Sequence, residues 1–170
     1  MENQRPKKEI YYLEIAKSVS LRSPCIRRKY GAIIVKDDVI VSAGYNGTAR
    51  GVVNCFEVGC LKDVLNLPHN KSYEECPAVH AEENAIINAA RSGNSVLGGT
   101  LFIAGFDKEG NLAEAIPCDR CKRAIINAGI EKVVILKSNG EAKKIDVRNW
   151  VTADSNKYLK NLKSALKNEN

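Results

Sequence analysis

Four side chains in two short runs have the types and spacing for metal-assisted hydrolysis: His80 and Glu82 in His80-Ala81-Glu82, and Cys118 and Cys121 in Pro117-Cys118-Asp119-Arg120-Cys121. Cysteines at i and i+3 in the first turn of a helix share a face, so both sulfurs reach one ion. The positive end of that helix lowers their thiol pKa, and its unused backbone N–H groups can bond the sulfurs. One imidazole and two thiolates make three ligands and leave a fourth position for water, as a catalytic zinc requires. The ligand and metal charges cancel, so the ion keeps enough pull to activate water near neutral pH. Glu82 is then a proton carrier, first base and later acid. Read alone, Glu82 is a carboxylate favoured at a helix start, and the two cysteines are buried thiols. Pro117 and the distant His-x-Glu together favour the metal reading. Residues i and i+2 point to different sides of a helix, so His80 and Glu82 converge only if the site lies at the helix's N-terminal end.

The elements that must carry these groups follow from periodicity. Residues 7–22 read as a helix with Tyr12, Leu13, Ala16 and Val19 on one stripe. Residues 30–36 and 39–45 read as a hairpin turning at Asp37-Asp38, and Gly44-Tyr45-Asn46-Gly47 closes its second strand. Residues 48–77 have no period and hold three cysteines, so this insertion is expected to be held by something other than a core. A helix over 79–91 precedes a strand over 100–104 and a polar excursion over 105–115. Pro117 is expected to open the next helix, which runs to Ala128 and stops at Gly129. A strand over 132–136 follows. The last helix is expected over 155–167, with Tyr158, Leu159, Leu162 and Leu166 on one side of a C-terminal segment over 152–170. Strands alternating with helices after a hairpin predict a single α/β domain over 1–170.

The chain has 170 residues, 44% hydrophobic and 27% charged, too apolar for a disordered segment. No run of about 18 apolar residues occurs, so no membrane span is expected. Met1 to Lys8 is polar with no apolar stretch behind it, unlike a secretory signal. A cytoplasmic protein is the expectation, and in that reducing compartment six cysteines suggest metal ligands or catalytic groups more than disulfides. The net charge of +6 fits a phosphate-bearing partner.

The pairing of H-x-E with P-C-x-x-C marks the zinc-dependent base deaminases. Around it, Lys29-Tyr30-Gly31-Ala32-Ile33-Ile34-Val35, Gly44-Tyr45-Asn46-Gly47-Thr48, His80-Ala81-Glu82-Glu83-Asn84-Ala85-Ile86 and Asn127-Ala128-Gly129-Ile130 resemble the deoxycytidylate (dCMP) deaminases. The resemblance covers residues 10 to 137 and implies a three-layer α/β/α cytidine deaminase-like fold with a mixed sheet of about five strands. It also implies hydrolysis of dCMP to dUMP and ammonia, by attack of zinc-bound hydroxide on C4 with Glu82 as proton shuttle. It further implies that Asn46 bonds the sugar, that the Ala81 N–H holds the pyrimidine carbonyl, and that the Ile116 carbonyl accepts from the exocyclic amine. Asn46 is equally readable as a turn residue tolerating positive φ. Ile116 stands where the family often has Ser or Thr, and the excursion over 105–115 lengthens the gap between the two motifs.

Some family members carry a second, structural zinc. Cys25 and Cys55 match its ligand positions, Cys60 and Cys76 complete a closed four-thiolate set, and His69 is the substitute if one is absent. Arg27, Arg28, Arg50 and Arg120 are the phosphate candidates, because guanidinium binds phosphate bidentately. The family implies homo-oligomers and dCTP or dTTP effectors. Alternatives are a deaminase of free (deoxy)cytidine, a tRNA base deaminase, and a non-catalytic zinc scaffold. The lack of interleaved basic and aromatic residues counts against the tRNA reading, and Glu82 counts against the scaffold.

Overall fold

A computed structural model describes residues 5–68 and 72–167. Its centre is a five-stranded sheet in the order β2-β1-β5-β6-β7, formed by β1 (Arg28–Lys36), β2 (Val39–Tyr45), β5 (Thr100–Asp107), β6 (Lys132–Leu136) and β7 (Ala142–Asp146). The β5–β6 pair is parallel and the other three are antiparallel, so the sheet is mixed, as expected. The alternation of β1 sorts its side chains into two cores. Ile33 and Val35 pack with Tyr12, Leu13 and Ala16 of α1 (Lys8–Ser20) on one face. Ala32 and Ile34 pack with Ala81 and Ala85 of α4 (Ala81–Arg91) and Ile125 of α5 (Asp119–Asn127) on the other. Helices therefore cover both faces, which is the three-layer architecture.

The β1–β2 turn is made by Asp37 and Asp38, both at positive φ (50° and 63°). That is the two-residue hairpin turn whose twist matches its strands. The Asp38 carboxylate accepts from Tyr12 Oη at 2.8 Å and from Lys8 Nζ at 2.6 Å, which ties the turn to α1.

Several expected boundaries move. The helix after Pro117 begins at Asp119, and α4 begins at Ala81, with His80 and Cys118 as their extended N-cap residues. The strand expected over 100–104 runs on to Asp107, and the polar excursion folds back on it through a Phe106–Leu112 bridge. β7 carries no periodic signal, because Ala142–Asp146 is mostly charged and exposed, as suits an edge strand. The last helix, α6 (Val147–Lys167), starts eight residues before the expected position. The insertion over 48–77 is not a bare loop. It contains α2 (Cys55–Val58), α3 (Leu61–Val64) and a turn of 3₁₀ helix (Tyr73–Glu75), and two short strands, β3 (Gly47–Thr48) and β4 (Ala78–Val79), pair across its ends.

One glycine places the site. A Cβ on Gly44 of β2 would collide with the backbone of Ala81, Asn84 and Ala85, the first turns of α4. Its absence lets the helix that begins at the histidine motif lie directly on the sheet. Gly44→Val is expected to destabilise the protein by about 3 kcal/mol or more in chemical denaturation, since rigid backbone, not a movable side chain, is in the way.

Candidate active site

Both motif histidine and motif cysteine occupy the same structural position. His80 (φ −73°, ψ 158°) and Cys118 (φ −70°, ψ 166°) are N-caps, so their side chains reach forward over the starts of α4 and α5. Helical spacing does not apply to an N-cap residue, which removes the i, i+2 conflict between His80 and Glu82. Cys121, in the first turn of α5, is fully buried. The two helix starts converge, and their positive ends favour negative charge between them.

His80 Nδ1 lies 3.3 Å from Cys121 Sγ and 3.6 Å from Cys118 Sγ. A tetrahedral zinc with ordinary bond lengths sets nitrogen and sulfur ligands about 3.5 Å apart. The three ligand atoms lie within 4.8 Å of one another, and among the described residues no other cluster of three or more His, Cys, Asp or Glu ligand atoms meets that spacing. The donor set therefore fits a zinc-type cation.

The protonation of the thiols supports the fit. The Cys118 thiol is held down to about 3, first by a hydrogen bond with Cys121 against the effect of burial, then by His80. Cys121 is pushed up by the same Cys118 hydrogen bond and by burial. The pair thus keeps one proton between them, and a divalent charge is what lets both ionise. Burial pulls the His80 imidazole down, but its bond to Cys118 and the charges of Glu82 and Cys118 outweigh burial and leave it raised. Burial also raises the Glu82 carboxyl, against a backbone hydrogen bond and the His80 charge.

Glu83 holds the two motifs together. Its carboxylate accepts from the His80 backbone N–H at 3.3 Å and from Arg120 Nη2 at 2.8 Å. That salt bridge links the start of α4 to the start of α5. Arg120, a phosphate candidate in the sequence, is thereby committed to a carboxylate, and its guanidinium also lies over the Tyr73 ring.

The metal-ligand set opens onto a cavity of about 390 Å³. Glu82, only 7% exposed, lines it together with Asn46, Ala81, Ile116, His80 and Cys118. The sequence-predicted base-binding residues are therefore all on one cleft. Asn46 does not have positive φ. Its side chain instead mimics a neighbouring strand: Oδ1 accepts from the Tyr30 N–H at 2.7 Å and Nδ2 donates to the Arg28 carbonyl at 3.0 Å. Arg27 lines the cleft but bonds Asp63 at 3.1 Å and the Leu67 carbonyl at 3.3 Å. Arg50 is outside the lining and bonds Asn88. Tyr30, Lys62, Tyr73 and Glu114 line the cleft without having been singled out in the sequence. Lys62 and Tyr73 come from the aperiodic insertion, where no pattern marks which residues turn inward.

Cys25, Cys55, Cys60 and Cys76 are free thiols. The Cys55 thiol is raised by burial and then by the charges of Cys25, Cys60 and Cys76, so all four are neighbours. They do not reach the mutual 4.8 Å spacing of the first set. His69, the substitute ligand, lies outside the described residues. Among the described residues, no helix is long and apolar enough to cross a membrane.

The chain is similar to known proteins along most of its length. The family described as the cytidine and deoxycytidylate deaminase zinc-binding region matches residues 6–137. A deoxycytidylate deaminase of Mycobacterium phage D29 is 34% identical over 140 residues, covering 79% of this chain and 98% of the phage protein. One of Schizosaccharomyces pombe is 33% identical over 132 residues, covering 76% of this chain but only 37% of the yeast protein. The dCMP deaminase of the cyanophage S-TIM5 superposes with a TM-score of 0.58 at 30% identity, over 79% of this chain and 86% of that one. A second structure of that phage enzyme is a complex with dCMP and dUMP. With the matched region spanning both motifs and the cleft they open on, the chain belongs to the cytidine and deoxycytidylate deaminase family.

Proposed function

We propose that the chain hydrolyses dCMP to dUMP and ammonia in the cleft at His80 and Glu82. The observation that carries this reading is the convergence of His80, Cys118 and Cys121 on one ion-sized point, with Glu82 facing the same cavity. Zinc held by these three supplies a Lewis acid that makes water nucleophilic near neutral pH. Glu82 takes the proton of the attacking water and delivers it to the ring nitrogen as the new C4–O bond forms. It then takes the remaining proton from the new C4 hydroxyl and passes it to the exocyclic amine; the C4–N bond breaks, and ammonia leaves behind a C4 carbonyl. The raised pKa of Glu82 suits a group that must both accept and return a proton.

The Ala81 N–H, one of the donors a helix start leaves unused, is assigned to the pyrimidine carbonyl, the Ile116 carbonyl to the amine, and Asn46 to the sugar. Of the four arginines that are phosphate candidates, Arg27, Arg50 and Arg120 have partners that argue for structural roles. The test is ammonia release from dCMP, CMP, deoxycytidine, cytidine and a tRNA anticodon stem by the purified, zinc-loaded chain. Turnover of dCMP above the rest is expected. Turnover of deoxycytidine but not dCMP would move the activity to free nucleosides.

The proposal includes a second, structural zinc at Cys25, Cys55, Cys60 and Cys76, supported by the crowding of three thiols around Cys55. Four thiolates leave no open position, so this ion would anchor the insertion and do no chemistry. Metal analysis is expected to give two zinc per chain, and a value of one would remove this site.

A homo-oligomer is also proposed, with α6 as its contact. Val151, Tyr158, Leu159 and Leu162 form an exposed apolar stripe along it. Lys157, Lys160 and Lys163 fall on the opposite side at helical spacing, so two copies can meet stripe to stripe with their charges outward. Sedimentation velocity should find a dimer or larger species that Leu162→Lys dissociates, and a monomeric wild type would contradict it. A cytoplasmic location accords with the six free cysteines. For dCTP and dTTP effectors, a second cavity of about 370 Å³ beside Arg28, Lys29 and Lys108 supplies the cations a triphosphate needs. A dCMP velocity unmoved by either nucleotide would dispose of that role.

A further inference from the structure

We propose that Tyr73 is a positioning residue by which the cysteine-bearing insertion holds two ligands of the catalytic metal, His80 and Cys118, in place, an inference that rests on the deaminase reading above. The side chain comes from a stretch without a sequence period, yet it touches both motifs. Its ring packs edge-on against the His80 imidazole, with centroids 5.3 Å apart. Such a contact favours one ring orientation as well as one distance, and the orientation of His80 decides where Nδ1 points. The Tyr73 hydroxyl bonds Cys118. A phenol keeps its proton up to a pH of about 10, so the hydroxyl donates and the sulfur accepts. A donor aimed at a thiolate stabilises its ionised form and fixes its direction, as the groups standing behind metal ligands do.

Tyr73 is itself held. Lys62 Nζ and the Arg120 guanidinium carbon lie 5.6 and 5.8 Å from the centre of its ring, within cation–π range. Arg120 in turn bonds the Glu83 carboxylate, which accepts from the His80 backbone N–H. The ring therefore belongs to the network that ties the start of α4 to the start of α5. On the insertion side, Tyr73 opens the 3₁₀ turn that ends at Glu75, and its carbonyl accepts from the Cys76 N–H at 3.1 Å. Cys76 is one of the four clustered thiols, so a single turn of chain joins that cluster to the catalytic ligands. Were Tyr73 only a wall of the cleft, phenylalanine would serve as well, with no hydroxyl to desolvate.

The experiment uses the full chain, its Tyr73→Phe and Tyr73→Leu variants, and Cys121→Ala to mark zinc held away from the catalytic site. Zinc affinity is measured by competition with a chromogenic chelator. Tyr73→Phe keeps the ring against His80 and removes the donor to Cys118, and it is expected to weaken catalytic-site zinc about 10-fold. Tyr73→Leu loses both contacts, and the expected weakening is about 100-fold. In zinc-saturated chains kcat for dCMP should fall in the same order, while KM stays within about threefold of wild type; a residue that only walls the cleft would move KM instead. A Tyr73→Phe chain that binds catalytic zinc within about twofold of wild type, or whose loss is confined to KM, would overturn the proposal. If the variants lose zinc affinity as expected but wild type leaves dCMP intact, the deaminase reading fails and the positioning role stands.

Discussion

Glu82→Gln is expected to lower kcat for dCMP by about 10³- to 10⁴-fold while leaving the zinc content unchanged. The upper part of the general acid–base range applies because one carboxyl serves two proton transfers. Glutamine has the same shape and is not a lost ligand, since the donors gathered at ion spacing are His80, Cys118 and Cys121 only. The fold should not suffer. Burial disfavours the Glu82 carboxylate and raises its pKa in the folded chain, so its favourable contribution is full below the unfolded pKa and is lost as pH rises through the folded one. Glu82→Gln should therefore hold or raise the melting temperature at neutral pH in chelated protein and flatten its decline with rising pH. Steady-state kinetics, metal analysis and thermal melts at several pH values check each part. A variant within tenfold of wild type would remove Glu82 from the chemistry.

Cys121→Ala is expected to abolish both catalytic zinc and activity. Cys121 is fully buried beneath the start of α5, and its sulfur is the ligand nearest His80 Nδ1, at 3.3 Å. Two remaining ligands do not make the three-donor site that a catalytic zinc needs. Because ion binding stabilises only the folded state, the variant should melt below zinc-loaded wild type, and chelating both proteins should narrow that gap by the part the catalytic ion supplies. Metal content should fall by one equivalent, leaving any zinc at the four-cysteine cluster in place. Retention of full zinc with lost activity would mean that Cys121 acts other than as a ligand.

Much of this site was legible in the sequence, for a physical reason. The candidate ligands fall at helix starts, where Pro117 and the spacing of Cys118 and Cys121 leave a local signature, and β-branched runs mark the buried strands. What could not be read is whatever depends on where the chain turns back. His80 and Cys118 resolve as N-caps only once the first residues of α4 and α5 are placed. Asn46 reads equally as a turn residue and as the sugar contact that the resemblance implies, and neither reading shows that its amide completes strand pairing with Arg28 and Tyr30. The arginines looked like the phosphate contacts because of their chemistry, and partners distant in sequence, Asp63 and Glu83, engage two of them. Lys62 and Tyr73 lie in an aperiodic stretch whose inward side is set by tertiary packing. The exposed stripe of α6 has the pattern of a buried helix, and periodicity alone does not say what covers it.

Anomalous diffraction at the zinc edge from crystals of the intact chain tests the central claim most directly. A peak bonded to His80 Nδ1, Cys118 Sγ and Cys121 Sγ is expected, with no protein atom in the fourth position and the Glu82 carboxylate within hydrogen-bonding reach of it. No peak there, or an ion closed off by a fourth protein ligand, would contradict it.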